Sequence, residues 1–166
     1  MYRVESEGTG MLRSIGEFIS ELTGGARQPV NFVETDFRLA AAALLVHVAT
    51  TDSNFDEAER AKLREVLSQR FDLAAEEADN LIESAVRADR DAVDLYQFTS
   101  LLNRSFDEEE RKRVVEMMFE VAYADGQLSE FEDNIVWRAA ELMHVPSRER
   151  VTIRRQVREE SASDEN

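Results

Sequence analysis

Apolar residues recur at intervals of three and four along most of the chain, which is the spacing of an amphipathic helix. The first such run carries Met11, Leu12, Ile15, Phe18, Ile19 and Leu22. The same spacing returns at 63–71, 78–86, 95–102, 108–123, 130–142 and 148–157. No run alternates with a period of two, as a half-buried strand would. The pattern therefore predicts an all-α protein, a single bundle of seven or eight helices joined by short loops.

One segment is apolar on every side. Residues Leu39–Ala49 read LAAAALLVHVA, which is too short for a membrane span, since a span needs about 20 residues. A helix that is hydrophobic all round belongs in a protein core. We expect a buried central helix over about residues 34–49.

The chain divides into three parts by composition. Residues 1–31 contain the amphipathic helix Met11–Leu22, which Gly24 and Gly25 end, and a linker with Pro29. Residues 32–158 form the helical domain, and residues 159–166 are predicted to be a disordered acidic tail. The Met11–Leu22 helix is expected to dock on its own bundle, with a partner or a membrane surface as the alternative.

Charge and composition exclude several functions. The chain has 35 acidic and 20 basic residues and a net charge of -15, which argues against binding nucleic acid because phosphate contacts need clustered Lys and Arg. There is no Cys, and only two His residues are present. Disulfides, thiolate metal sites and a Cys nucleophile are therefore excluded, and no catalytic residue is predicted. The acidic balance is compatible with cations or with basic partner surfaces.

Three positions carry the signature of a capping box, in which an N-cap side chain and a glutamate three residues later bond each other's backbone amides. The pairs are Asp56 with Glu59, Asp107 with Glu110, and Ser129 with Glu132. Each pair also places negative charge at the positive end of a helix. We expect helices to begin directly after Asp56, Asp107 and Ser129.

Two of these capping boxes belong to an internal repeat. Residues 48–59 align with residues 121–132 at a constant offset of 73 positions. The alignment matches Asp52 with Asp125 and Glu59 with Glu132. Each copy is predicted to be a helix, an Asp-led turn and a second helix, which suggests two pseudo-symmetric helix–turn–helix repeats within the bundle.

The aspartates of the repeat need an explanation, because a carboxylate at the negative C-terminal end of a helix is unfavourable. One explanation is that they cap amides of the following turn. The other is a bound divalent cation, Ca²⁺ or Mg²⁺, held by Asp52, Glu59, Asp125 and Glu132. Neither turn has the glycine and terminal glutamate of an EF-hand loop. Both explanations stay open at the level of sequence.

Several other side chains are expected to have structural roles. Trp137 and Phe131 are predicted to pack in the core, with an exposed interface role as the alternative. Tyr96, Phe98, Leu101 and Leu102 are predicted to close the middle of the bundle. The C-terminal helix carries five arginines within eleven residues, namely Arg148, Arg150, Arg154, Arg155 and Arg158. They are expected to form a solvated face that pairs with the acidic bulk of the protein.

The second copy of the repeat resembles the hallmark of the tellurite-resistance TerB family. In that hallmark an apolar helix ends in Ala-Asp-Gly, followed by an apolar residue, Ser and a spaced Glu, as in Ala124, Asp125, Gly126, Leu128 and Ser129 here. The resemblance covers about residues 32–157. It implies an all-helical domain of the bacterial cytoplasm, acidic positions suspected of binding divalent metal, and a link to tellurite and other chemical stress.

These observations lead to one functional expectation and two alternatives. The expectation is a non-enzymatic TerB-like accessory or interaction module with a protein partner, with a divalent cation (Ca²⁺ or Mg²⁺) in its acidic turns. The first alternative is a purely structural adaptor whose acidic turn residues only cap helices. The second is a metal-dependent hydrolase that uses the same carboxylates. Membrane contact is expected only through a partner or the Met11–Leu22 helix, and the oligomeric state is left open.

Overall fold

A computed structural model describes residues 36–51 and 55–164, and these residues form seven α-helices and no strand. The helices are α1 (Phe37–Ala49), α2 (Glu57–Phe71), α3 (Ala75–Asp91), α4 (Tyr96–Ser105), α5 (Glu108–Ala122), α6 (Glu130–Leu142) and α7 (Ser147–Asp164). The predicted all-α bundle is confirmed. The predicted Met11–Leu22 helix lies outside the described residues, and the pseudo-symmetry of the repeats stays a prediction.

Helix α1 is the centre of the bundle. Every residue from Leu39 to Val46 is at most 5% exposed, and α1 packs against α2, α3, α4, α5 and α6. Four of the buried residues are the consecutive alanines Ala40–Ala43, whose small side chains let the neighbouring helices approach closely. The prediction of a buried core helix is confirmed.

The later helices cover α1 from several sides. Helix α5 packs against α1, α2, α6 and α7, and it buries Met118 and Phe119 completely. Helix α7 packs chiefly on α5 and therefore lies at the edge of the bundle. Among the described residues, none of the helices is both long enough and apolar enough to cross a membrane.

The three predicted capping boxes begin α2, α5 and α6. In α5 the backbone amide of Glu110 donates to Asp107 Oδ1 at 2.8 Å, and the amide of Asp107 donates to Glu110 Oε1 at 2.9 Å. The prediction that helices begin after Asp56, Asp107 and Ser129 is confirmed. Helix α1 also has a side-chain cap, because Asp36 Oδ1 accepts from the amide of Arg38 at 2.8 Å.

Helices α2 and α6 both end at a residue other than glycine in the left-handed region. Asp72 has φ 53° and His144 has φ 60°. At the end of α6 the amide of His144 donates to the carbonyl of Glu141 and the amide of Val145 donates to that of Ala140, at 3.1 and 3.0 Å. This pair of bonds is a Schellman motif, which glycine normally completes.

Replacing His144 by glycine is expected to raise the free energy of unfolding by about 1 kcal/mol. Glycine adopts positive φ without the clash that a Cβ atom causes, and His144 is exposed, so little packing is lost. Urea denaturation at equilibrium measures the change. As a control, His144→Val should destabilise the protein, because a β-branched residue is poorest in this region; equal stability of the two variants would contradict the explanation.

The structure corrects three sequence expectations. Phe131, predicted to lie in the core, and Tyr96, predicted to close the middle of the bundle, are 68% and 64% exposed. Helix α7 was expected to end at Val157, with a disordered tail from residue 159, but it continues to Asp164. No Gly or Pro interrupts residues 158–164, and Ser161 Oγ lies 3.5 Å from the carbonyl oxygen of Tyr123, so the last turns continue over α5.

Candidate metal site in the acidic turns

The first acidic turn begins α2. The amide of Glu59 donates to Asp56 Oδ1 at 2.8 Å, and the amide of Asp56 lies 3.5 Å from Glu59 Oε1. Glu59 is only 5% exposed, because α2 turns this residue inward beside the core. Its carboxylate therefore satisfies a backbone group at the start of the helix. Asp52, the first residue predicted as a metal ligand in this turn, lies outside the described residues.

The second turn begins α6 in the same way. The amide of Glu132 donates to Ser129 Oγ at 3.1 Å, and the amide of Ser129 donates to Glu132 Oε1 at 3.0 Å. Glu132 is also 5% exposed. Glu59 and Glu132, which the repeat aligns, thus have the same local role and the same burial.

Asp125 stands apart from these glutamates because it is exposed. Its Oδ1 accepts from the amide of Gln127 at 3.1 Å, which is the bond of an Asx turn. Gly126 between them has φ 85°, and its amide donates to the carbonyl of Tyr123 at 2.8 Å. The carboxylate and the left-handed glycine together reverse the chain after α5.

A third buried glutamate shows that this arrangement extends beyond the repeat. Glu77 is 8% exposed and its Oε1 accepts from the amide of Ala74 at 2.8 Å. It begins α3, where Ala74 offers no side-chain acceptor. Sequence reasoning missed Glu77 because its N-cap is alanine; the only signal was an acidic residue in the first turn of a helix. A glutamate in the first turn therefore caps the helix start in this fold, whether it is buried, as Glu77 is, or exposed, as Glu110 is.

Each predicted ligand that the structure describes bonds to a residue close to it in the sequence. Each buried glutamate meets its own N-cap residue, and Asp125 meets Gln127. Within residues 36–51 and 55–164, no group of three or more His, Asp or Glu side chains is placed to hold a metal ion. Since Asp52 is not among these residues, the complete four-carboxylate set stays a prediction.

A separate ionised cluster joins α2 to α5. Arg70 Nη2 lies 2.6 Å from Glu116 Oε1 and 3.5 Å from Glu120 Oε1. Burial raises the pKa of Glu120 above its ordinary value; the positive charge of Arg70 opposes this increase, and Glu116 adds to it. The free energy of folding therefore favours the protonated form of this one carboxyl group.

Replacing Glu120 by glutamine is expected to increase stability at neutral pH. A pKa raised on folding contributes stability that is present at low pH and lost as the pH rises through that pKa, and glutamine resembles the protonated form. The gain should shrink at acidic pH, as the pH falls through the folded-state pKa of Glu120 and the wild-type carboxyl itself becomes protonated. Urea denaturation of both proteins across this range measures it. Glu116→Gln is the control: it removes the shorter contact to Arg70 and should not stabilise, and a gain for Glu120→Gln that is independent of pH would contradict the burial explanation.

The arrangement defines a class of protein, namely an all-helical domain in which acidic residues close the turns and cap the helices. Among known protein families, the family model described as "Tellurite resistance protein TerB" matches residues 38–155. The chain therefore belongs to the TerB family, as the Ala-Asp-Gly turn at residues 124–126 indicated. No curated protein and no solved structure matches the chain.

Proposed function

We propose that this chain is a non-enzymatic accessory module of the bacterial cytoplasm that acts by contact with a protein partner during tellurite or other chemical stress. The main support is the use made of the buried carboxylates. Glu59 and Glu132 accept hydrogen bonds from backbone amides at helix starts. The carboxylates that a catalytic function would require therefore stabilise the fold. Membership of the TerB family supports the link to stress.

The surface offers side chains suited to contact with a protein. Phe131 is 68% and Tyr96 is 64% exposed, and Val93 is 97% exposed. Tyr96 begins α4 and Phe131 lies in the first turn of α6, so both are held on rigid helices. Aromatic residues of this kind are enriched at protein interfaces.

The test is copurification of the tagged whole chain from its native cells, grown with and without tellurite. We expect one protein to copurify reproducibly and to be lost when Phe131 and Tyr96 are both changed to serine, while the thermal melt is unchanged. Arg87 and Arg90, changed together to serine, provide a control with exposed residues elsewhere. Failure of any protein to copurify reproducibly with the wild-type chain, or turnover of a substrate by the purified chain, would count against an interaction module. Equal recovery with all three chains would contradict only the role of Phe131 and Tyr96 in the contact.

A second candidate function is the binding of Ca²⁺ or Mg²⁺ through Asp52, Glu59, Asp125 and Glu132. The observation in its favour is the exposed carboxylate of Asp125, which lies in a turn whose buried glutamate matches that of the other turn. Hard cations prefer such oxygen ligands. This candidate is compatible with the capping role, because a carboxylate can accept a hydrogen bond and bind a cation with different lone pairs.

Thermal denaturation after treatment with EDTA, followed by addition of Ca²⁺, Mg²⁺, Mn²⁺ or Zn²⁺, tests the cation. A ligand at 100 times its Kd stabilises the fold by about 2.7 kcal/mol, which is a shift of several degrees in Tm. We expect Ca²⁺ or Mg²⁺ to give this shift and the double variant Asp125→Asn, Glu132→Gln to lose it.

The matched control is Glu77→Gln, which weakens an equivalent helix start outside the repeat. That variant should melt earlier than wild type and keep the full shift with cation. No shift with any cation would leave only the capping role for the acidic turns. A shift accompanied by hydrolysis of a phosphate ester would instead favour the metal-dependent hydrolase.

A further inference from the structure

Helix α7 carries a basic face in an otherwise acidic protein. Arg148, Val151, Arg155 and Arg158 follow one another at intervals of three, four and three residues, and all four are exposed. This spacing places them on one side of the helix. At 1.5 Å per residue the face is about 15 Å long. We name Arg148, Arg155 and Arg158 the α7 basic stripe.

The arginines of α7 divide into two groups. Arg150 bonds Glu141 at 2.9 Å and Arg154 lies 3.4 Å from Asp133, as expected for pairing with the acidic bulk. The three residues of the α7 basic stripe make no side-chain hydrogen bond or ion pair with the rest of residues 36–51 and 55–164. Their positive charge is therefore directed to solvent.

A cleft of about 420 Å³ between α5 and α7 shares Arg148 with the stripe. The three carboxylates in its lining each have a cationic partner. Glu116 Oε1 lies 2.6 Å from Arg70 Nη2. Lys112 Nζ lies 2.9 Å from Glu109 Oε2 and 2.5 Å from Glu149 Oε1. These two glutamates raise the pKa of Lys112 above its usual range, so its charge is fixed. Two further cations of the lining, Arg113 and Arg148, are exposed and have no ion pair among the described residues.

We infer that the α7 basic stripe and Arg113 form a docking surface for a short acidic segment of a partner protein. The guanidinium groups supply paired donors for carboxylates. Ile153 lines the cleft and Val151 lies within the stripe, so an apolar side chain of the segment also finds a place. An extended peptide of about five residues spans the stripe. This inference rests on the proposed interaction role and names the chemistry of the partner.

Net charge favours a peptide over larger anions. The whole chain carries -15, so an extended polyanion such as nucleic acid or an anionic membrane meets repulsion beyond the stripe. A short segment lies within about 8 Å of the arginines, the distance over which their field acts at physiological ionic strength. The exposed Glu159 and Glu160 follow the stripe directly in the sequence, and the three arginines of the stripe together with Arg113 outnumber them.

The experiment measures binding of a fluorescent Glu-rich peptide containing leucine to the whole chain by fluorescence anisotropy. A peptide with glutamine in place of glutamate, an oligothymidylate, and vesicles of phosphatidylcholine with phosphatidylglycerol are tested beside it. We expect binding of the acidic peptide alone, weakened by salt. Arg155→Glu with Arg158→Glu should weaken it about tenfold or more, because each reversal replaces attraction by repulsion.

The matched control is Arg87→Glu with Arg90→Glu, which changes net charge equally on the exposed face of α3. This control should keep the affinity of wild type; equal weakening by both pairs would overturn the inference, and so would tighter binding of oligothymidylate or vesicles. Arg155→Gln with Arg158→Gln repeats the test if the reversals unfold the chain. A partner that copurifies equally with wild type and the α7 variants would contradict this docking surface while leaving the interaction role in place.

Discussion

Replacing Leu44 by alanine is expected to lower the free energy of unfolding by about 3 to 5 kcal/mol. Leu44 is fully buried in α1, which contacts five other helices. The substitution removes the transfer free energy of the side chain and leaves a cavity that closely packed neighbours fill only in part. Urea denaturation followed by circular dichroism gives the value, since a bundle of this size is expected to unfold cooperatively.

Val93→Ala provides the comparison for this variant. Val93 is 97% exposed, so its truncation should change the free energy of unfolding by less than about 0.5 kcal/mol. If Leu44→Ala were as mild as Val93→Ala, then α1 would not be the centre of the core. Ala42→Leu should also destabilise, because overpacking a fully buried alanine forces the surrounding helices apart.

Replacing Arg150 by alanine is the second large effect, at about 3 kcal/mol. Its Nε donates to the carbonyl of Val145 at 2.7 Å, its Nη2 bonds Glu141 at 2.9 Å, and its guanidinium lies 5.1 Å from the ring centroid of Trp137. Arg150 is only 6% exposed. A charged donor to a buried carbonyl contributes about 1.5 to 3 kcal/mol, and a cation over an aromatic ring adds about 1 kcal/mol.

Two variants separate the contributions of Arg150. Glu141→Gln should cost little, because the Glu141 side chain is 75% exposed and such ion pairs contribute weakly. Arg150→Lys should restore only part of the stability, since one ammonium group cannot bond Val145 and cover Trp137 at once. The free energy of unfolding and the tryptophan emission of each variant provide the measurements; full recovery with lysine would show that charge alone matters.

The parts of the fold that depend on local chemistry could be predicted from the sequence. Asp56, Asp107 and Ser129 each begin a helix because a side chain and an amide three residues away satisfy each other. The run Leu39–Ala49 was expected to be buried because His47 is its only polar residue. These signals require no knowledge of the neighbouring helices.

The parts that depend on distant residues could not be predicted. Phe131 and Tyr96 are aromatic residues on amphipathic helices, and only the packing of other helices decides that they remain exposed. The burial of Arg150 depends on Trp137 in another helix. Helix α7 continues past Val157 because it lies on α5 near Tyr123, a contact that joins residues far apart in sequence.

The candidate metal site also has features that the sequence could predict and features that it could not. Glu59 and Glu132 each lie at the start of a helix, and their role in capping followed from the spacing to Asp56 and Ser129. Convergence of the two turns on one cation is a relation across the bundle, which the spacing of residues within each turn cannot determine. Binding of Ca²⁺ or Mg²⁺ by the four carboxylates therefore stays a prediction.

The central position of α1 has a consequence during synthesis of the chain. Among residues 36–51 and 55–164, the helices that pack against α1 all follow it in the sequence, so the ribosome releases this most apolar segment before it releases those covering helices. At about 5 to 20 residues per second, that segment waits for several seconds before α5 emerges. A nascent chain stopped within α4 would expose this segment to chaperones and to other nascent chains. The spacing of ribosomes on the messenger RNA would then determine whether chaperone binding or aggregation prevails.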